Sequence, residues 1–363
     1  MTVPANPGYP SGDACPAPWW LPGGHAQTII PARLMPAPRV HYRRERWDTP
    51  DGDFIDIDWS THACAAGTPL VVMFHGLEGS SASHYARGLA TVLAVRQWEG
   101  VVVHFRGCSG SLNLAPRFYH SGDGDEIGWI LRRLYQTHCA ATRRPLFVVG
   151  ISLGGNALLR FLGERQEDAA FVTAAASVSA PLDLTAGGIA LSHGFNMLYT
   201  RMFLQTLKTK SLAKLKQYPG LFDADAMLHS RDLYAFDNIV TAPLHGYRNT
   251  DDYWHRASGK LVLADITVPT LVLNARNDPF LPAAALPRAA DVSPAVTLAQ
   301  PAHGGHVGFF ARHAGWRAYL PPLGQPDWLP LRALRFFDQY LFDRHSGQPS
   351  SIAHSADTET AHG

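Results

Sequence analysis

Ser152 lies in the segment of this chain whose residue types and spacing best suit covalent chemistry. The apolar run Leu146–Val149 predicts a strand, and the residues after Ser152 have helical spacing. Gly150 and Gly154 flank the serine in the pattern G-x-S-x-G, where larger side chains would clash across a sharp turn. Such a turn between strand and helix exposes the hydroxyl as a nucleophile. The N–H of Leu153 is then one predicted donor to the oxyanion.

A serine nucleophile needs a histidine to take its proton and a carboxylate to orient that histidine. His306 follows the last predicted strand in a glycine-rich segment and is the candidate base, with His303 as the alternative. Asp278 follows the preceding predicted strand and is the candidate acid, with Asp183 as the alternative. These positions predict that acid and base meet Ser152 at the carboxyl edge of a parallel sheet.

A second oxyanion donor is expected in the loop after the first parallel strand, and Leu77 has the right place. His75 in the same loop is interpreted as a residue that braces the loop through hydrogen bonds rather than as a second base. Cys108 lacks a comparable turn and is a poor candidate nucleophile. His25 is interpreted as structural.

The elements that must position these residues alternate between strands and helices. Short apolar runs predict strands at 70–74, 101–105, 146–149, 171–178, 270–274 and 296–300, and amphipathic segments predict helices at 82–95, 123–137, 153–166 and 330–342. This alternation is typical of an α/β fold with a parallel sheet covered on both faces. Val40–Trp47 and Phe54–Trp59 predict a strand pair, in which Asp56 and Asp58 suggest a half-exposed edge.

The chain divides into four predicted parts. Residues 1–38 are rich in proline and glycine and predict an irregular arm, whereas 39–345 form the main domain. The stretch at about 180–265 is too long for an ordinary connection and predicts an inserted helical cap. Residues 346–363 predict a disordered tail.

Two features of the cap are open to more than one interpretation. Its apolar stripe is expected to pack onto the core, with contact to a greasy acyl chain as the alternative. The stripe contains Phe195, Tyr199, Met202, Phe203 and Leu207. A group of lysines is expected to form a solvated face, with attraction to a membrane surface as the alternative. The group contains Lys208, Lys210, Lys214 and Lys216.

The composition excludes several classes of protein. A formal net charge of +1 over 363 residues gives no excess of basic residues of the kind that binds nucleic acid. The chain shows no secretory signal and no apolar run that spans a bilayer, so a cytoplasmic location is expected. The sequence has no dinucleotide or phosphate-binding fingerprint and no metal-ligand spacing, so no cofactor and no metal are expected. The four cysteines are expected to be thiols.

Six motifs together resemble the α/β-hydrolase superfamily, and within it the YheT-like branch of predicted serine esterases. The branch also resembles eukaryotic lipid-directed proteins with this domain. The motifs lie at Trp20–Thr28, Phe74–Gly79, Arg106–Gly110, Gly150–Asn156, Asn277–Phe280 and Gly304–Phe309. The resemblance implies an eight-stranded, mostly parallel sheet with helices on both faces. It also implies a triad of Ser152, Asp278 and His306.

The expected activity is therefore that of a serine carboxylesterase, with a small-molecule ester or a lipid-like molecule as substrate. A thioesterase or a lipid acyl hydrolase is the enzymatic alternative. A ligand-binding relic of a hydrolase and an interaction protein that works through its arm and cap are the non-enzymatic alternatives. The sequence carries no signal for an oligomeric state, and membrane contact is not indicated.

Overall fold

The computed structural model describes residues 14–311 and 328–341. One eight-stranded sheet has the order β1-β2-β4-β3-β5-β6-β7-β8. Its strands are β1 Tyr42–Asp48, β2 Phe54–Ser60, β3 Leu70–Phe74, β4 Glu99–Val103, β5 Leu146–Ile151, β6 Ala174–Val178, β7 Thr270–Leu273 and β8 Val296–Ala299. Strands β3 to β8 pair in parallel, whereas β2 is antiparallel to both of its neighbours. The predicted fold class is confirmed.

Helices cover both faces of this sheet. The α-helices of the described residues are α1 Gly23–Ile29, α2 His84–Arg96, α3 Gly124–Leu134, α4 Leu153–Arg165, α5 Leu184–Leu191, α6 Met197–Gln217, α7 Ala224–His229, α8 Leu233–Phe236, α9 Ala242–Leu244, α10 Thr250–Ala257 and α11 Trp328–Asp338. Apolar side chains of α3 and α4 pack in the core on one face, and those of α2 and α11 pack in the core on the other. Every residue of β3, β5 and β6 is buried, as expected for parallel strands covered on both sides.

The interpretation of Phe54–Trp59 as a half-exposed edge is wrong. Strand β2 lies between β1 and β4, and its Asp56 and Asp58 are only 1% and 3% exposed. Arg46 and Arg44 lie directly opposite them on β1 and form ion pairs with them at 2.8 Å and 2.7 Å. The alternation of aspartate with apolar residues therefore reflects buried carboxylates that pair with half-exposed arginines on the neighbouring strand, not aspartates in solvent.

The N-terminal arm is more regular than predicted. Helix α1 is followed by a π-helical turn at Ile30–Leu34, within the stretch that was expected to be irregular. Trp20 packs edge-on against Phe310 with 5.5 Å between ring centroids, whereas Trp19 is 83% exposed. The predicted disordered tail at 346–363 lies outside the described residues, as does the last residue of the predicted final helix.

The long segment between β6 and β7 holds helices α5 to α10. Several of its side chains form small apolar clusters of their own, separate from the two clusters on the sheet. Across the described ranges, no helix combines the length and the apolar character needed to cross a bilayer.

Candidate active site

Ser152 occupies a sharp turn between β5 and α4. Its backbone has φ 51° and ψ −118°, a conformation that a residue with a side chain rarely adopts. A Cβ atom on Gly150 would lie 2.6 Å from the Gly154 carbonyl oxygen, and one on Gly154 would lie 2.6 Å from that of His75. The turn therefore requires both glycines for the steric reason that the sequence suggested. The first turn of α4 adds the positive end of its dipole beside the hydroxyl.

The structure brings Ser152, His306 and Asp278 into one hydrogen-bonded chain. His306 Nε2 lies 3.0 Å from Ser152 Oγ, and His306 Nδ1 lies 2.9 Å from Asp278 Oδ2. A carboxylate only accepts, so Nδ1 donates to Asp278 and Nε2 is left to accept from the serine. The Asp278 side chain is almost fully buried, and its second oxygen accepts the Phe280 N–H at 2.8 Å. This arrangement is the one that a serine nucleophile and its base require.

Sheet topology explains why residues so distant in sequence meet. Ser152 follows β5, Asp278 follows β7 and His306 follows β8, and these strands run parallel with their carboxyl ends at one edge. The two alternatives lie elsewhere. Asp183 caps α5 by accepting the Ala186 N–H at 2.9 Å, and His303 is exposed on the outer side of its loop.

The loop after β3 runs beside the nucleophile, as the prediction of an oxyanion donor requires. Phe74 at the end of β3 pairs with Gly150, and a Cβ atom on Gly76 would lie 3.1 Å from that of Ser152. Leu77 and Leu153 both line the cavity into which Ser152 opens. Within the described part of the chain, neither of their N–H groups donates to a protein acceptor. Both N–H groups are therefore free to bind another acceptor, as the prediction requires.

His75 braces this loop, as expected. Its Nδ1 donates to the Gly76 carbonyl at 2.7 Å, and its Nε2 accepts the Phe105 N–H at 3.1 Å. Burial lowers the pKa of His75 to about 3, so the ring is neutral at ordinary pH. The Tyr85 hydroxyl accepts the Gly76 N–H and holds the same turn.

Three of the four lysines bind partners within the fold instead of forming the solvated face that the sequence suggested, whereas Lys216 is exposed. Lys210 is paired at 2.8 Å with Glu78, the residue next to Leu77. Lys214 is fully buried and donates to two backbone carbonyls, and burial lowers its pKa to about 8. Lys208 donates to the carbonyl of Ser230 at 2.6 Å. For these three the interpretation was wrong because they lie close together in sequence, whereas their ammonium groups bind different partners within the fold.

Cys108 lies near the site without the environment of a nucleophile. Its Sγ is 3.4 Å from Lys210 Nζ, but burial raises the pKa of the thiol to about 11. The thiolate form is therefore scarce at neutral pH. Arg106 in the same motif turns away from the cavity and binds the carboxylates of Asp53 and Glu126. The thiol is not a competing nucleophile, and the arginine braces buried structure.

A cavity of about 140 Å³ opens over Ser152 and His306. One water molecule needs roughly 10–15 Å³, so this space suits a larger group. Most of its lining is apolar, and α5, α6, α8 and α10 supply much of it, through residues such as Leu184, Leu191, Phe203, Leu207, Phe236 and Trp254. The predicted apolar stripe of the cap therefore divides: Phe203 and Leu207 of α6 face the cavity, whereas Met202 of α6 and Phe195 just before it are exposed.

Over the ranges that the structure describes, no group of three or more His, Cys, Asp or Glu side chains is arranged to hold a metal ion. His25, which the sequence placed outside the chemistry, bonds through Nδ1 to the Tyr199 hydroxyl at 3.1 Å.

Comparison with known proteins relates the chain to one family. A sequence profile of the alpha/beta hydrolase fold matches residues 69–312. The predicted esterase YheT of Escherichia coli (strain K12) is 41% identical over 312 residues, which cover 84% of this chain and 89% of that protein. Phospholipase ABHD3 of Mus musculus is 29% identical over 298 residues, covering 80% of this chain and 72% of that protein.

Solved structures agree at the level of the fold. The Pyrococcus furiosus esterase Pf2001 superposes with a TM-score of 0.50 at 17% identity, covering 85% of this chain and 98% of that chain. At this low identity the likeness concerns the architecture alone.

Proposed function

The chain belongs to the α/β-hydrolase family, and from that premise we propose that it is a serine hydrolase that cleaves carboxylic esters. The observation that carries the proposal is the hydrogen-bonded chain from Ser152 through His306 to Asp278. Its order of hydroxyl, imidazole and carboxylate is the one that acyl transfer needs, which supports the proposal.

In the proposed reaction, Ser152 Oγ attacks the ester carbonyl carbon while its proton passes to His306 Nε2. The oxygen that becomes negative accepts hydrogen bonds from the N–H groups of Leu77 and Leu153. His306 then gives its proton to the departing alcohol as the C–O bond breaks, which leaves an acyl group on Ser152. Asp278 stabilises the charged imidazole during both transfers.

Water completes the cycle by the reverse use of the same groups. His306 takes a proton from the water molecule while the water oxygen attacks the acyl carbon. The same two N–H groups hold the second oxyanion, and His306 returns the proton to Ser152 Oγ as the acid leaves. The scheme needs no cofactor and no metal.

A lipid acyl hydrolase is the second candidate, and the apolar lining of the cavity favours it. The similarity to phospholipase ABHD3 of Mus musculus also supports a lipid substrate. On this proposal the segment at about 180–265 is a cap that encloses the acyl chain. A series of esters and thioesters of increasing chain length would separate the candidates, because an apolar cavity gains affinity with each added methylene. The cytoplasmic location stays a prediction.

The first experiment is labelling with a fluorophosphonate, followed by intact mass measurement and peptide mapping. We expect one adduct on Ser152 in the wild type and none in Ser152→Ala, with unchanged circular dichroism. Hydrolysis of a short-chain ester should fall to background in the same variant. A folded wild type that binds acyl ligands but forms no adduct would instead favour the ligand-binding alternative.

A further inference from the structure

Helix α1 lies ahead of the region that the family profile matches, yet it contacts both loops that carry the acid and the base. We propose that Gln27 and Thr28 are positioning residues that hold His306 and Asp278 in their reactive arrangement. This inference rests on the proposed function, because it assigns the two residues a role through the catalytic base and acid.

Thr28 bonds to the backbone of the base itself. Its Oγ1 accepts the His306 N–H at 2.8 Å and donates to the Gly24 carbonyl at 2.7 Å. Thr28 is buried, so water competes poorly for either bond. The hydroxyl therefore fixes the backbone from which the imidazole reaches Ser152.

Gln27 joins the loop of the base to the loop of the acid. Its Oε1 accepts the Gly304 N–H at 2.8 Å and the Asn277 side-chain amide at 2.9 Å. Its Nε2 donates to the Leu21 carbonyl at 2.9 Å, so both the oxygen and the nitrogen of the side-chain amide are bonded. Gln27 is 1% exposed. Because Asn277 directly precedes Asp278, one buried amide sets the spacing between the two loops.

The loop of the base depends on these external partners. The N–H groups of Gly304, Gly305 and His306 donate in turn to side chains of Gln27, Asn277 and Thr28. Gly304 and Gly305 have φ angles of 154° and 56° and little intrinsic conformational preference. A glycine-rich segment of this kind is flexible unless other groups hold it, and α1 supplies two of its three acceptors.

The backbone of α1 also packs closely against the backbones of the two loops. A Cβ atom on Gly24 would lie 1.9 Å from the Asn277 carbonyl oxygen, and one on Gly308 would lie 1.8 Å from that of Gln27. Helix α1 therefore contacts both loops without an intervening side chain. A displacement of α1 would pass directly to the acid and the base.

A purely structural role makes a different prediction. If α1 only adds stability, its variants unfold more easily, but the molecules that stay folded turn over at the wild-type rate. If it positions the base, folded molecules have a lower kcat with little change in KM, because the loss falls on the reacting geometry.

The test uses Thr28→Val, which keeps the shape of the side chain and removes the hydroxyl, and Thr28→Ser, which keeps the hydroxyl. Thr91→Val is the matched control, because Thr91 makes the same bond to the carbonyl four residues earlier, on α2. The measurements are thermal unfolding, kcat and KM for a soluble ester, and the rate of fluorophosphonate labelling, all well below the unfolding midpoint.

We expect Thr28→Val to lower kcat and the labelling rate by about ten- to a hundredfold, with KM within about twofold of wild type. Thr28→Ser should recover most of the activity, and Thr91→Val should match the wild type. Gln27→Met removes the side-chain oxygen that accepts the Gly304 N–H and should show the same selective loss of kcat. This second variant tests the inference even if Thr28→Val fails to fold.

Wild-type kcat in folded Thr28→Val would overturn the inference. A loss that disappears on cooling, as the unfolded fraction vanishes, would also overturn it. If the wild type neither turns over an ester nor takes a label on Ser152, the proposed function fails instead, and the two failures are distinguishable.

Discussion

The ring of Phe280 stacks on the imidazole of His306, with 4.0 Å between centroids and 25° between planes. The same ring makes edge contacts with Tyr199 and Phe203 of α6. Phe280 follows the candidate acid by two residues, and its N–H bonds to that acid. One residue therefore touches the base, the acid and the helical segment above them.

Phe280→Leu should lower kcat by about tenfold while the protein stays folded. Leucine preserves most of the apolar volume but offers no flat face, so the imidazole gains freedom to turn away from Ser152. Steady-state kinetics and thermal unfolding are the measurements. Phe195→Leu is the control, because its ring is 53% exposed and contacts His25 rather than His306. Equal kinetics in the two variants would show that the stacking is incidental.

Asp278→Asn should reduce kcat by about 10³- to 10⁴-fold, because an amide does not hold the imidazole in its productive tautomer. Asp183→Asn is the matched control. Asparagine still caps a helix, so the bond to Ala186 can persist and kcat should stay at the wild-type value. A large loss of kcat in Asp183→Asn, with little loss in Asp278→Asn, would reverse the assignment of the acid.

Lys210→Met should lower both stability and kcat. Burial alone would lower the pKa of Lys210, but the neighbouring Cys108 and Glu78 raise it, so the ammonium stays charged and paired. Its loss leaves the largely buried Glu78 carboxylate with the Tyr119 hydroxyl and the weakly donating Cys108 thiol, next to the predicted oxyanion donor Leu77. We expect about 1–2 kcal/mol lower free energy of unfolding, less than for a fully buried pair.

The control for this prediction is Lys216→Met, which changes an exposed lysine of the same helix. Urea unfolding and ester kinetics should leave that variant unchanged. If both lysine variants behave alike, the pair with Glu78 contributes nothing specific to the oxyanion loop.

Acid should destabilise the fold partly through His75. Burial lowers its pKa to about 3, whereas the unfolded chain takes up a proton near pH 6.5. The unfolded state therefore binds more protons between these values, so the free energy of unfolding falls as pH falls through this window. Above about pH 7, His75 does not contribute to the pH dependence of the free energy of unfolding.

Urea unfolding between pH 7.5 and pH 4.5 would test this, with His75→Gln as the comparison. The wild type should lose up to about 1.4 kcal/mol more per pH unit than the variant inside the window. Parallel curves would mean that the pKa of His75 is the same in the folded and the unfolded state.

Most of the framework was readable from the sequence because its signals are local. Apolar runs marked the six parallel strands, and G-x-S-x-G marked the turn at Ser152. The candidate acid and base were found because each follows a strand, and parallel strands end at one edge. The structure brings Asp278 and His306 together with Ser152, as the sequence predicted.

The misjudged features depend on partners distant in sequence. Asp56 and Asp58 seemed exposed because their arginine partners lie on another strand. The buried state of Lys214 follows from carbonyls about a hundred residues away. Gln27 and Thr28 lay within a motif that carried the family resemblance, but no local pattern linked them to a loop near residue 304.

The contact between Gln27 and Gly304 joins groups 277 residues apart. During synthesis, the first part of the site leaves the ribosome long before its partner exists. A nascent chain can complete its sheet through β7 and still hold an unfinished catalytic edge. Loop closure over this distance is slow compared with local helix formation. Enzymatic activity in a refolding experiment should therefore appear later than helical circular dichroism, because it reports on the joining of α1 to the loop of the base.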